Sequence, residues 1–205
     1  MGTRRRFRGR ITGVGSTSGV RVVVGWWLES PFGAFADVMV ETAAGHRVLL
    51  APTQQVVDLV ATTYTFDEVR LEPVAVGLTG DGPTRLDVTS PSLTLTADLG
   101  GRTPLGALLG LVPAVLATSP AFATLADPVA RLVLHGVRTR GVARAGRREY
   151  YGATDVHAVT AMSGRFDGAD LGALAPVDPP CRFGFSSTPR RPSVTEVTTT
   201  IVDVT

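Results

Sequence analysis

The chain has 205 residues, 44% of them apolar and 19% charged, with a formal net charge of +2; that is enough apolar material for a buried core and too little polar tract for a disordered chain. All 20 basic residues are arginine, which excludes a Schiff base to a side-chain amine, a lysine-anchored pyridoxal phosphate and a Walker-type phosphate lysine. Asparagine is absent as well, and isoleucine occurs only as Ile11 and Ile201, the pattern of a GC-biased coding sequence, so the missing lysine reads as compositional drift.

In chain order, the first fifty residues read as β-structure. Arg6–Gly13 and Arg21–Leu28 are alternating or β-branched runs separated by a turn-rich Gly13–Gly19 stretch, and Ala34–Glu41 and His46–Ala51 flank a hairpin loop at Thr42–Gly45. The period then changes: Thr53 is placed to cap a helix carrying Val56, Val57, Leu59 and Val60 at helical spacing. Strands are expected again at Glu68–Val76, Arg85–Thr89 and Ser92–Ala97. Residues 104–126 carry no charge, but Pro113 and Pro120 divide them into pieces of helix-turn-helix length. They read as a helical hairpin covering a sheet and not as a membrane span. Strands are expected at Gly136–Ala143, Arg148–Ala158, Phe183–Ser186 and Val194–Val204. The expected fold is α+β, a single domain over residues 1–205: a large antiparallel sheet or β-barrel-like core with a short helix and a central helical hairpin.

Charge alternates along the chain. Residues 1–30 carry +5, residues 31–130 carry −6, residues 131–150 carry +5 and residues 151–205 carry −2. Such blocks are expected to neutralise one another within the fold, so no nucleic-acid partner is expected. Arg4, Arg5, Arg6, Arg8 and Arg10 read as a solvated tail and an edge strand on which charge discourages aggregation. The one cysteine, Cys181, cannot form an internal disulfide, and the basic N-terminus lacks the apolar run of a signal peptide. A cytoplasmic protein without a membrane partner is the expectation; a homo-oligomer is compatible with it.

Glycines 13–19 do not make a phosphate loop, because Val22-Val23-Val24 continues as strand where a helix N-terminus is needed. His46, His135 and His157 form no ligand-spaced pair, so neither a metal nor a cofactor is expected. The hairpin over 136–158 holds the densest polar cluster. Alternation puts Glu149, Tyr151, Asp155 and His157 on one face of its second strand, and a two-residue turn at Ala145-Gly146 sets Arg144 opposite Arg147 and Arg140 opposite Tyr151. Arg138 and Arg140 then lie diagonal to the two acids. One reading is a solvent face laced with ion pairs. The other is a cavity wall in which Arg138, Arg140, Tyr151 and Glu149 bind a ligand while Asp155 and His157 move protons.

The segment Ser30-Pro31-Phe32-Gly33-Ala34-Phe35-Ala36-Asp37-Val38-Met39-Val40 resembles the Gly-Pro-Tyr-x-Glu segment of acetoacetate decarboxylase-like proteins, with Gly33, Phe35 and Asp37 matching by type and Ala34 in place of the proline. The resemblance implies a β-rich fold with a central cavity and puts Asp37 near it as a further acid–base candidate. It cannot carry over the family's imine chemistry, because there is no lysine. The function expected on this basis is binding of a small anionic or carbonyl organic compound without a Schiff base; the alternative is a non-catalytic binding or assembly domain.

Overall fold

The computed structural model of the chain describes residues 4–81, 84–113, 140–144, 147–184 and 188–203, with backbone alone described for 140–144, 147–149 and 203. Strands β1 (Arg4–Ser16), β2 (Arg21–Glu29), β3 (Phe35–Glu41) and β4 (Arg47–Ala51) form an antiparallel meander. Its turns close where Gly19 and Gly45 take φ of 83° and 85°, backbone that a side chain resists. Helix α1 (Gln54–Ala61) follows, its first turn capped by the Thr53 hydroxyl accepting from Val56 N at 3.3 Å. The helix is the crossover that lets β5 (Glu68–Leu71) pair in parallel with β4.

The run expected as one strand over Glu68–Val76 is two, β5 and β6 (Ala75–Thr79), which end up at opposite limits of the sheet order. Pro73, with no amide hydrogen for a ladder, sits at the break. Strands β7 (Arg85–Thr89) and β8 (Leu93–Arg102) lead to the short helix α2 (Pro104–Leu109). Beyond it come β9 (Arg140–Arg144), the 20-residue β10 (Arg147–Phe166), the two-residue β11 (Ala169–Asp170) and β12 (Leu174–Ala175), and β13 (Ser193–Asp203). The sheet order is β5-β4-β3-β2-β1-β13-β10-β8-β7-β6, with β9, β11 and β12 paired off this path.

Each face of the sheet has its own apolar cluster. On the inner face Val22, Val24, Val38, Val40, Val48 and Leu50 join Leu86, Val88, Leu93 and Leu95. Strands from opposite ends of the order thus share one core, which requires the sheet to curl into a half-barrel. Arg70 of β5 helps to hold that curl, donating to Ser92 Oγ at 2.9 Å and pairing with Asp167 beyond β10. On the outer face Val23, Met39 and Leu49 are covered by Val56 and Val57 of α1 and by Val177, Cys181 and Phe183 of the loop before β13.

The described residues are mostly strand, and only α1 and α2 are helical among them, so the α+β label is not confirmed. Of the expected helical hairpin, α2 is present and residues 114–126 lie outside the described residues. Phe183, expected in a strand, lies in a bend and is buried. No described helix is long and apolar enough to cross a membrane. The arginine-bearing β1 is not an edge strand: it pairs with β13 from Arg4 and with β2 from Arg8, leaving only Arg4–Phe7 with a neighbour on one side.

Candidate functional site

Residues paired directly across strands share a face, and this assigns each expected site residue. Asp37 pairs with Gly25, Gly25 with Ile11 and Ile11 with Thr195, a row on the outer face. Tyr151 pairs with Thr199 and Thr199 with Phe7, on the same face. Asp155 pairs with Glu196, three residues from Thr199 and therefore on the inner face. The cause is a bulge at Thr154, where the β10–β13 register shifts between Ala153 and Asp155. One extra residue reverses the alternation, so Tyr151 and Glu149 do not share a face with Asp155 and His157. Arg140 pairs with Tyr150 and not with Tyr151, because the β9–β10 register shifts after the Arg147–Arg144 pair. Arg138 lies outside the described residues, and the side chains of Arg140 and Glu149 are not described.

The structure does bring Asp155 and His157 together. His157 Nε2 lies 3.5 Å from Asp155 Oδ2, but the carboxylate is already well supplied with donors. Arg102 Nε reaches Asp155 Oδ1 at 2.7 Å and the Val156 amide reaches the same oxygen at 2.8 Å. The Arg102 guanidinium, above all, holds the Asp155 carboxyl below its ordinary range. A saturated, ionised carboxylate anchors well and abstracts protons poorly. It sits against the first turn of α2: the Thr103 hydroxyl accepts from Gly106 N and donates to Val156 O, both at 3.0 Å. A Cβ on Gly106 would lie 2.4 Å from Val156 O. This cluster fastens α2 to the sheet.

Asp37 stands in a different environment. It is 4% exposed, and Trp27 Nε1, at 3.0 Å from Oδ1, is the only donor to its carboxyl among the described residues. Among the described residues no cation neutralises it, and burial pushes its pKa from 3.8 to about 7 against the opposing pull of the indole hydrogen bond. Trp27 is the diagonal neighbour, two residues along β2 from Gly25, and it can lean over only because Gly25 leaves the directly opposite position empty. Around them lie Phe7, Phe32 and Phe35. Phe7 meets Trp27 and Phe32 edge-on at 5.9 Å between ring centroids, while Phe35 lies 6.4 Å from Trp27 and 6.5 Å from Phe32. Phe32 and Phe35 are partly exposed. On the same face, Tyr151 shares a 2.7 Å hydrogen bond with Tyr64 just beyond α1.

Gly25 makes a direct test. A Cβ there would lie 2.7 Å from Asp37 Oδ1 and 2.8 Å from Trp27 Nε1, so one of the two must leave its place. Gly25→Ala is expected to cost about 1–3 kcal/mol, as overpacking does, and to shift the tryptophan emission; urea unfolding with an unchanged midpoint and spectrum would contradict the cradle.

Of these groups the sequence singled out Asp37, Tyr151, Asp155 and His157, but it missed Trp27, Gly25 and Arg102. A glycine inside the β-branched run Val22–Trp27 was the available sign of a close approach. Among the described residues no group of three or more His, Cys, Asp and Glu side chains is placed to hold a metal ion. No protein family, curated protein or solved structure matches this chain.

Proposed function

We propose that the chain is a binding domain for a small anionic or carbonyl organic compound, held on the outer face at Asp37 without Schiff-base chemistry. The observation that carries this reading is a carboxyl buried to 4% exposure with one neutral donor, beside four aromatic rings and with a pKa near 7. Below that pH the neutral acid donates a hydrogen bond to a carbonyl or carboxylate oxygen, and the rings pack against the carbon skeleton. Phe32, on the Ser30–Gly33 turn where Gly33 takes a φ of 80°, is the side chain that would move to admit it. The resemblance of Gly33–Asp37 to acetoacetate decarboxylase-like proteins supports the same position.

The observations favour binding over catalysis. Asp37 lies across the sheet from Asp155 and His157, so the three cannot act on one substrate as acid and base, and the Asp155 carboxylate is committed to Arg102. A panel of short oxo-acids and their hydroxy counterparts, titrated calorimetrically, tests the reading. Binding is expected near pH 6, weakening by about tenfold for each pH unit above 7 as the donor proton is lost. Asp37→Asn, whose amide still donates, is expected to bind with no pH dependence in that range. Failure of every compound to bind at pH 6, or the same pH profile in Asp37→Asn, would overturn it.

A further inference from the structure

The sheet ends on two unequal edges, β5 and β6. An open edge is a row of unpaired amides and carbonyls, and soluble proteins guard such rows with short strands, charge, proline or bulges. β5 is guarded. It has four residues, Glu68 and Arg70 among them, Arg70 is tied to Glu68 and Asp167, and Pro73 follows closely. β6 carries none of these devices. Its five residues, Ala75-Val76-Gly77-Leu78-Thr79, hold no charge and no proline, and its register against β7 runs from Ala75–Thr89 to Thr79–Arg85 without a shift. Among the described residues no strand pairs with its other side.

The side chains of β6 point to what covers this edge. Val76 and Leu78, opposite Val88 and Leu86, pack against the inner apolar cluster but stay half-buried, so the core reaches the edge and stops there. On the outer face Ala75 and Thr79 are exposed, and a Cβ at Gly77 would meet nothing within 4 Å. The strand is also symmetric about Gly77: small, apolar, glycine, apolar, small. Turned end for end, it presents the same pattern.

We propose that β6 is the contact between two copies of this chain, each pairing antiparallel with its twin about a two-fold axis at Gly77. In that register the two Gly77 residues oppose one another, Val76 opposes Leu78 of the second copy and Ala75 opposes its Thr79. The valines and leucines then form one stripe across the contact, and each copy covers what the other leaves half-exposed. The axis makes the contact isologous, so one partner satisfies each edge and the assembly closes at two. A β5-to-β6 contact would leave a free edge at each end and grow, and the charges on β5 oppose it. An uncharged edge also offers nothing to a strongly acidic or basic partner. The proposal does not rest on the ligand reading at Asp37.

Sedimentation equilibrium of the whole chain over about 1–200 µM tests it, a range suited to a short ladder at the small end of specific interfaces. The mass is expected to rise with concentration toward twice the 21.5 kDa of the chain. Gly77→Glu is expected to stay monomeric throughout, with a thermal unfolding midpoint within a few degrees of wild type. Its side chain enters open space in the monomer, but in the dimer it meets its twin in a row that already holds Asp87 of each copy. Val69→Glu on β5, at a position 44% exposed, is expected to dimerise as the wild type does. Amide exchange over Val76–Leu78 in the wild type gives a reading that needs no variant: protection is expected to rise with protein concentration. A wild type that is monomeric at the highest concentration, a folded Gly77→Glu that still dimerises, loss of the dimer in Val69→Glu alone, or β6 exchange independent of concentration would overturn it.

Discussion

Replacing Glu41 by glutamine is expected to cost the fold about 3–5 kcal/mol, the usual penalty for breaking a buried ion pair from one side. Glu41 is 0% exposed and stands directly opposite Arg21, which is 4% exposed. Its Oε1 accepts from Arg21 Nη2 at 2.9 Å and from Arg182 Nε at 3.0 Å, and its Oε2 accepts the Arg182 amide at 2.6 Å. Two segments 141 residues apart are joined through one carboxylate. Glutamine removes the charge that compensates the buried Arg21 guanidinium and turns a donor toward groups that need an acceptor. Arg182 is 69% exposed, so Arg182→Ala is expected to cost only about 1 kcal/mol. Arg21→Met combined with Glu41→Leu should recover most of the Glu41→Gln loss, because it removes both charges together.

Urea unfolding measures these differences, and Cys181 gives an independent local report. Its thiol is 8% exposed and is pushed by burial to about 12, so it should resist alkylation at pH 8 in the wild type. In Glu41→Gln it should label faster as the loop carrying Val177, Cys181 and Phe183 lifts from the sheet. A Glu41→Gln protein with wild-type midpoint and labelling rate would show that the carboxylate does not hold this loop.

Asp37→Asn is expected to be more stable than the wild type at neutral pH and to differ little from it near pH 4. The folded pKa of Asp37 is about 7 and the ordinary value is 3.8, so the native state binds a proton that the unfolded chain has released between those values. Stability contributed by this group is therefore fully present below about pH 4 and lost as pH rises to about 7, by roughly 4 kcal/mol in total for a shift of this size. Asparagine keeps an acceptor for Trp27 and never ionises. The carboxyls held low by cations, Asp67 by Arg47 and Asp155 by Arg102, act in the opposite sense and lose their contribution as pH falls. Subtracting the Asp37→Asn stability curve from that of the wild type removes them and leaves the Asp37 titration. A difference that stays constant between pH 4 and pH 8 would exclude a buried, shifted Asp37.

Much of the sheet was legible because its strands carry local signals. Val22–Val24, Val38–Val40 and the β-branched run of β13 announce buried strands, the glycines at 19 and 45 announce turns, and Thr53 announces a capped helix. The curl was not legible, because it depends on Leu86 and Val88 meeting Val48 and Leu50 across the fold. Nor was the division of the polar hairpin between two faces: a bulge at Thr154 has no marker of its own in the sequence, and it reversed the alternation on which the grouping of Tyr151 with Asp155 depended. Asp37 was visible through its resemblance, whereas the Gly25 gap and the Trp27 hydrogen bond that define its surroundings come from strand pairing.

Asp37 is a buried acid poised near neutrality on the outer face of the sheet, the face proposed to hold the ligand. The carboxyl carbon-13 resonance of Asp37, assigned by its loss in Asp37→Asn and followed from pH 3 to pH 9, tests it most directly. The structure predicts a midpoint near 7 in the free protein, displaced upward when an anionic ligand that needs the proton is bound. A midpoint near 4, the value of an exposed aspartate, would contradict it.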